Sequence, residues 1–383
     1  MHRSKLGILT GGGDVQPLNA VLASAIETAK QNNIELIGFI QGWQGLIENN
    51  FVSLNRKKIN PEIGGTILKS SRLNLVKVEN GPRKVLVNLD KLGIEGLIVI
   101  GGEDTLSNSF LVKEIPQVLI SKTIDNDVGV LNKNEIVNYF TLGHPTAAEK
   151  ISSFVSLNEG LRTTAYSHER IIVVESMGMH AGWLAVSSSM GNPDFVVVPE
   201  FPIEYEGLVE KVNERYIANK NVIIVVAEGS KWSNGEYIAA DFSEMDNFGH
   251  PRFKGAAKVL AEKLKADLKK NFDTRNVNSI NPSYLYRSGK PNNLDLSAAQ
   301  KMGIESIKFL KAKVKGVNLF TTKFVKNELR VARHDVSHLE SIHQIHRFVT
   351  EQFYDFNRMQ VTREGIKYLK KITPLIQSSK YGL

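Results

Sequence analysis

The stretch Leu97-Ile98-Val99-Ile100-Gly101-Gly102-Glu103-Asp104-Thr105 reads as a buried strand that stops at a glycine pair and delivers two carboxylates. Its apolar run does not alternate with polar residues. That suits a strand covered on both faces, as in a parallel sheet between helices. Six more runs have the same character: Leu6–Thr10, Ile34–Ile40, Val118–Ile120, Ile171–Val174, Phe195–Val198 and Val222–Ala227. Helical patterns lie between them. From Leu18 the residues Val21, Leu22, Ala25, Ile26 and Ala29 fall on one face, and 256–268 and 298–310 read the same way. Strand and helix in alternation predict an α/β sandwich. No internal repeat at solenoid periods is present.

The residues that follow the strands carry the functional signal. Leu6–Thr10 runs into Gly11-Gly12-Gly13-Asp14, and Val118–Ile120 runs through Ser121 into Lys122-Thr123-Ile124-Asp125-Asn126-Asp127. Ile171–Val174 runs into Glu175-Ser176-Met177-Gly178-Met179, and Phe195–Val198 into Pro199-Glu200. Ligands of open parallel sheets sit outside the carboxyl ends of the strands. Five strand ends furnished with glycine and charge therefore predict an active site.

Composition narrows the class. A chain of 383 residues suggests two domains. Hydrophobic residues at 42% and charged residues at 23% exclude disordered and low-complexity classes. The absence of cysteine excludes a disulfide scaffold, a thiolate nucleophile and Cys-ligated metals. No apolar run approaches the roughly 20 residues of a membrane span. The opening Met-His-Arg-Ser-Lys leaves no room for a secretory signal before Gly11, so a cytoplasmic protein is expected, with no membrane partner. The net charge of +8 is spread out, with small clusters at 56–58 and at Lys367, Lys370 and Lys371. No nucleic-acid motif accompanies it, so phosphorylated small molecules are expected rather than nucleic acid.

Three motifs carry chemistry. Gly11-Gly12-Gly13-Asp14 is neither a dinucleotide fingerprint nor a P-loop. Such a loop either brings backbone N–H groups close to a phosphate or makes a tight turn at positive φ. Gly101-Gly102-Glu103-Asp104 suits Mg²⁺ held by carboxylates together with phosphates, or a helix cap at Asp104 or Thr105. Lys122 to Asp127 is the strongest. Phosphoryl transfer needs a carboxylate to take the acceptor's proton and a cation to stabilise the moving group, and Lys122 and Asp125 supply both.

Gly12-Gly13-Asp14, Gly101-Gly102-Glu103-Asp104-Thr105, Thr123-Ile124-Asp125-Asn126-Asp127, Ser167-His168-Glu169-Arg170, Met177-Gly178-Met179-His180-Ala181-Gly182-Trp183 and Pro199-Glu200 occur in this order. Ala227-Glu228-Gly229 and Asn281-Pro282-Ser283-Tyr284-Leu285-Tyr286-Arg287 extend the series. Together they resemble the phosphofructokinase family over about residues 6 to 310. The resemblance implies two similar Rossmann-like three-layer α/β domains with parallel-rich sheets and an active site in the cleft between them. Residues 1–140 would be the phosphoryl-donor domain, 141–310 the sugar-phosphate domain, and 311–383 a mostly helical segment packing back on the core. Asp125 would be the base for the 1-hydroxyl of fructose 6-phosphate. Asp127 would help hold Mg²⁺ with Glu103. Gly12 and Arg72 would touch the transferred phosphate, with Gly13, Asp104 and Thr105 on the donor. Arg170, Tyr284 and Arg287 would bind the sugar phosphate, and Thr123, Met177, Gly178 and Glu200 the rest of the acceptor. Some of these residues arrive from a neighbouring subunit in the family, which implies a homodimer or homotetramer.

Donor choice turns on Asp104 and Lys122. The resemblance implies glycine at both positions in ATP-using members, whereas pyrophosphate-using members look like this chain. A carboxylate where an α-phosphate would lie costs on the order of a few kcal/mol. A pyrophosphate-dependent phosphotransferase is therefore expected, with an ATP-dependent enzyme and a non-catalytic sugar-phosphate-binding subunit as alternatives. The chain departs from the family pattern at Glu103 for aspartate, Gln16-Pro17 for Pro-Gly, Ser121 for proline and Met179 for a phosphate-facing arginine. Losing one such donor commonly costs about 2.7–4 kcal/mol in the barrier. Finally, His334, His338, His343 and His346 invite a metal reading. His343 and His346 are expected to share a helix face, but are read as solvated or packing residues.

Overall fold

The computed structural model describes residues 4–131, 135–245, 249, 251–253, 255–268 and 276–373. The opening Met1–Arg3 and residues 374–383 of the expected C-terminal segment lie outside them. The chain forms two compact units. The first comprises Met1–Thr123, Asp127–Thr146 and Arg287–Arg347; the second comprises Ile124–Asn126, Ala147–Tyr286 and Phe348–Leu383.

All seven apolar runs are strands. In the first unit the sheet order is Glu328–Asp335, Val317–Val325, Gln117–Thr123, Gly96–Gly101, Lys5–Thr10, Glu35–Phe39, Phe51–Ser53. The five inner strands are parallel and the two edges antiparallel. Leu9, Val99, Leu119 and Leu319 stand in register across four neighbours. They share one core with Val85 and Leu89 of the helix Gly81–Leu92. Side chains alternate faces along a strand, so Ile98, Ile100 and Ile120 point the other way. On that side the helix Asn293–Lys311 packs on the strands and against Leu18–Gln31. Gly303 permits this close approach, because a Cβ there would stand 2.5 Å from the Val21 carbonyl oxygen. Helix, sheet and helix are the three layers expected.

Lys5–Thr10 lies between Glu35–Phe39, which follows it, and Gly96–Gly101, which comes later in the chain. The strand order therefore reverses at this point. The crevice outside such a switch point is where open parallel sheets hold ligands, and Gly11–Gly13 and Gly101–Gly102 flank it.

The second unit has a four-stranded parallel sheet in the order Phe195–Val197, Val222–Ala227, Ile171–Ser176, Val277–Ile280. Val173, Val197, Ile224 and Val226 pack with Leu208 and Val212 of Tyr205–Asn219 and with Leu260 and Leu264 of Ala256–Asp267. Among the described residues no helix is long and apolar enough to cross a membrane.

Two expectations need correction. The units are not the consecutive segments 1–140, 141–310 and 311–383, because the chain passes back into the first unit at Arg287 and leaves it after Arg347. Nor are the described residues of this last segment, 311–373, mostly helical. Val317–Val325 joins the first sheet beside Gln117–Thr123, and Glu328–Asp335 returns beside it. The two-residue turn between them, Lys326-Asn327, has positive φ at both positions (48° and 67°). That backbone matches the twist of a tight hairpin. The described helices of this segment are the short turns Ile342–Ile345 and Arg363–Leu369.

Candidate active site

In the first unit, the loop after Lys5–Thr10 is held from several sides. Gly12 has φ +77°, and its N–H donates to the Ser71 carbonyl at 3.0 Å while the Ser70 hydroxyl donates to the Gly12 carbonyl. This pairing brings exposed Arg72 beside the loop. Thr105, expected on the donor, is buried beneath it: a Cβ on Gly11 would lie 2.7 Å from its hydroxyl oxygen. Trp43 Nε1 fixes Thr105 from behind by donating to its carbonyl at 2.9 Å. Lys122 ends the strand Gln117–Thr123 and is only 1% exposed. Its Nζ donates to the Gly13 carbonyl and would stand 3.4 Å from a Cβ on Gly12. Arg287 reaches the same loop, with Nη1 donating to the Asp14 carbonyl at 3.4 Å. Two cations thus meet a glycine loop at the switch point. Such an arrangement suits an anionic phosphate, because backbone and charge act at short range without a side chain in the way.

On the neighbouring loop, Glu103 and Asp104 open the short helix Glu103–Ser107 behind Gly102. Glu103 Oε1 faces His343 Nδ1 at 2.5 Å and His346 Nδ1 at 3.0 Å. Burial alone pushes the Glu103 carboxyl up, but the two histidines outweigh it and hold the group at about 2. The His343 imidazole is raised in turn, first by its bond to Glu103 and further by the charges of Glu103 and Asp104, against burial. Glu103, Asp127 and His346 each bring a ligand atom within 4.8 Å of the others. The expectation of a solvated or packing role is therefore corrected for His346, which is 16% exposed and converges on two carboxylates, while His343 is 55% exposed. They do share a face, since residues three apart eclipse in a 3₁₀ turn. The face meets carboxylates contributed from far away in the sequence. Two carboxylates and an imidazole suit a divalent cation.

The second unit holds Asp125, which is buried at 5% exposure. Asn126 beside it adopts φ +57°, and its amide donates to the Tyr368 hydroxyl at 2.9 Å. Glu228, just after the strand Val222–Ala227, is the residue the sequence reading left without a role. Its Oε1 accepts from the N–H groups of Gly178 and Met179, each at 3.1 Å. Burial, then the charge of Asp125, pushes its carboxyl up to about 7. The signal was available: a carboxylate at the end of a buried strand, the same pattern that singled out five other strand ends. Met179 sits at φ +47°, unusual for a residue with a Cβ. Its carbonyl crowds the space that a Cβ on Gly229 would take, so glycine is required there.

The other residues expected on the acceptor lie in both units. Gly178 is buried and Met177 half-buried at the end of Ile171–Ser176. Thr123, in the first unit, is buried, and its carbonyl accepts from the Thr141 hydroxyl at 2.6 Å. Glu200 accepts from Gly182 N–H at 2.9 Å and from Val349 N–H at 2.8 Å. It also lines a cavity of about 650 Å³ with His180, Phe201, Lys231 and Phe348. Arg170 donates to the Thr164 hydroxyl, and Tyr284 is 75% exposed. Arg287 belongs to the first unit, so the three residues expected on the sugar phosphate are distributed over both units.

Comparison with known proteins bears on this site. The family model described as "Phosphofructokinase" matches residues 5–310. A pyrophosphate–fructose 6-phosphate 1-phosphotransferase of Dictyoglomus thermophilum is 36% identical over 313 residues, covering 80% of this chain and 86% of the relative. An ATP-dependent 6-phosphofructokinase of Streptomyces coelicolor is also 36% identical, over 312 residues, covering 79% and 86%. Among solved structures, a pyrophosphate-dependent phosphofructokinase of Nitrosospira multiformis shares the fold at a TM-score of 0.80 and 18% identity, covering 99% of this chain and 93% of that one.

Proposed function

The chain belongs to the phosphofructokinase family, and from that premise we propose that it transfers a phosphoryl group from pyrophosphate to the 1-hydroxyl of fructose 6-phosphate. The observation that carries the donor assignment is the buried ammonium of Lys122 under the Gly12–Gly13 loop, with the Asp104 carboxylate on the adjoining glycine loop. A small donor of high charge density gains from the first. A nucleotide that must pass the second is repelled. Overall identity does not choose the donor, since relatives named for pyrophosphate and for ATP stand at the same 36%.

In this reading Asp125 accepts the proton of the C1 hydroxyl as its oxygen attacks a phosphorus of pyrophosphate. The bond to the bridging oxygen breaks and inorganic phosphate leaves. Lys122 and Arg72 balance the charge spread over the transferred group's oxygens, as preorganised cations do in phosphoryl transfer. Glu103 and Asp127 would hold Mg²⁺, which supplies neutralisation of donor charge when bound. Met179 cannot donate to a phosphate oxygen, so Lys122 carries more of the stabilisation than it would beside an arginine. Lys122→Ala should therefore lower turnover with pyrophosphate by about a hundredfold or more. Steady-state kinetics of a variant shown to be folded by circular dichroism test this. Undiminished turnover would remove Lys122 from the mechanism.

A further inference from the structure

We propose that Glu103, Asp127 and His346 form a mixed oxygen and nitrogen site that binds a divalent transition-metal ion, such as Co²⁺, more tightly than Mg²⁺, with the His346 imidazole as a direct ligand. This rests on the reading of Glu103 and Asp127 as metal ligands, and not on the choice of phosphoryl donor.

Backbone register holds His346 in place. Residues 345–347 run antiparallel to Asp127–Gly129. Val128 and His346 form a bridge, Gly129 N–H donates to the Ile345 carbonyl at 2.8 Å, and Arg347 N–H donates to the Asp127 carbonyl at 2.6 Å. Arg347 is buried, and its Nη1 donates to the Asn138 carbonyl at 2.7 Å. On the other side of the histidine, Ile342 and Ile345 are buried in the sheet's core. Ser341 and Gln344 close a capping box around the turn. His346 is thus fixed at both ends, and its side chain is only 16% exposed. A ligand held this way loses little entropy on binding.

One donor pair already has the spacing a small cation takes, and the third donor lies within 4.8 Å of both. Ligand atoms at right angles around an ion, each at about 2.1 Å, stand about 3 Å apart. Glu103 Oε1 and His346 Nδ1 are 3.0 Å apart. A carboxylate oxygen and an imidazole nitrogen at this distance share either an N–H hydrogen or a metal ion. His343 faces the same oxygen but is 55% exposed and does not join the converging three. We assign it to orienting the Glu103 carboxylate.

Chemistry sets the preference. Mg²⁺ is a hard ion that takes oxygen ligands and keeps its waters. Imidazole suits Co²⁺, Ni²⁺ and Zn²⁺, whose affinity for nitrogen exceeds that of Mg²⁺. Two carboxylates alone would leave Mg²⁺ competitive; the nitrogen changes that.

Calorimetric titration of the full chain with Co²⁺ alone and with Mg²⁺ alone, without substrates, tests the proposal. Co²⁺ should bind at least about tenfold more tightly than Mg²⁺. The Co²⁺-loaded protein should show a hyperfine-shifted, solvent-exchangeable imidazole N–H proton in its NMR spectrum. His346→Ala should remove that resonance, lower Co²⁺ affinity by about 10- to 100-fold and leave Mg²⁺ affinity unchanged. If the variant does not fold, the spectrum of the unaltered protein decides by itself. A Co²⁺-loaded protein without a shifted imidazole proton, or a His346→Ala variant with the original preference, overturns the inference. Glu103→Gln separates the two layers. If it leaves both metals bound as before, the carboxylates are not ligands and the underlying reading fails as well.

Discussion

In the proposed reaction Asp125 is the group that takes the proton of the C1 hydroxyl. Asp125→Asn removes the proton acceptor while keeping shape. Turnover should fall by about 10²- to 10⁴-fold, while fructose 6-phosphate still binds by calorimetry; near-normal turnover would strip Asp125 of its role. Glu228 gives a test by pH. Its carboxyl titrates at about 7 in the folded chain against an ordinary 4.5. Between those values the folded chain keeps a proton that the unfolded chain has released. The stabilising contribution is therefore complete below 4.5 and is lost as pH rises through 7, a change on the order of 3 kcal/mol. Glu228→Gln fixes the neutral form and retains an oxygen for Gly178 and Met179. Its unfolding free energy should fall less than that of the unaltered chain between about pH 5 and pH 8. Equal slopes in denaturant titrations would place the charge elsewhere. At this scale the sequence was legible for placement at strand ends, as at Gly12, Lys122 and Asp125, which lie at or just after the ends of Lys5–Thr10 and Gln117–Thr123. It was not legible for His346, whose partners come from more than two hundred residues away. Local spacing can put two histidines on one face but cannot say what that face meets.

Elements were legible where periodicity is strong. Seven apolar runs became strands, and the three helical patterns became Leu18–Gln31, Ala256–Asp267 and Asn293–Lys311. Val317–Val325 escaped notice because its sequence, Val-Asn-Leu-Phe-Thr-Thr-Lys-Phe-Val, mixes polar residues into a strand whose first six residues are all buried. Pairing supplies the reason. Thr322 donates its N–H and its hydroxyl to Asn138 Oδ1 and accepts from the Phe140 N–H within one buried network, and no local pattern announces those partners. The packing of Leu18–Gln31 against Asn293–Lys311 gives a prediction with two opposing terms. Gly303→Ala should add about 1 kcal/mol through helix propensity. Its Cβ would meet the Val21 carbonyl at 2.5 Å and the Ala25 nitrogen at 3.1 Å, and both are backbone atoms that cannot turn aside. Overpacking of this kind costs on the order of 1–3 kcal/mol, so a net loss is expected. A lower denaturant midpoint at unchanged slope would agree, and a higher midpoint would show that the helices separate easily.

For the molecule as a whole, the family was written in the order and spacing of short motifs over most of the chain. The division into units was not. The first unit is assembled from three stretches of sequence because Arg287–Arg347 supplies a helix, a hairpin and the His343–Arg347 turn to the sheet that Lys5–Thr10 begins. Membership of a sheet is decided by pairing between distant residues, and a linear reading places boundaries between neighbours instead. In the proposed reaction the donor is likewise met by the assembled first unit, where Lys122, Arg287 and the glycine loop come together around Gly13. Relatives of equal identity carry names for both donors, so catalysis itself must choose. The most direct measurement is the rate of fructose 1,6-bisphosphate formation from fructose 6-phosphate by the purified chain, with pyrophosphate and with ATP in parallel. Efficient turnover with pyrophosphate and little or none with ATP is expected; a chain that prefers ATP would overturn the donor assignment.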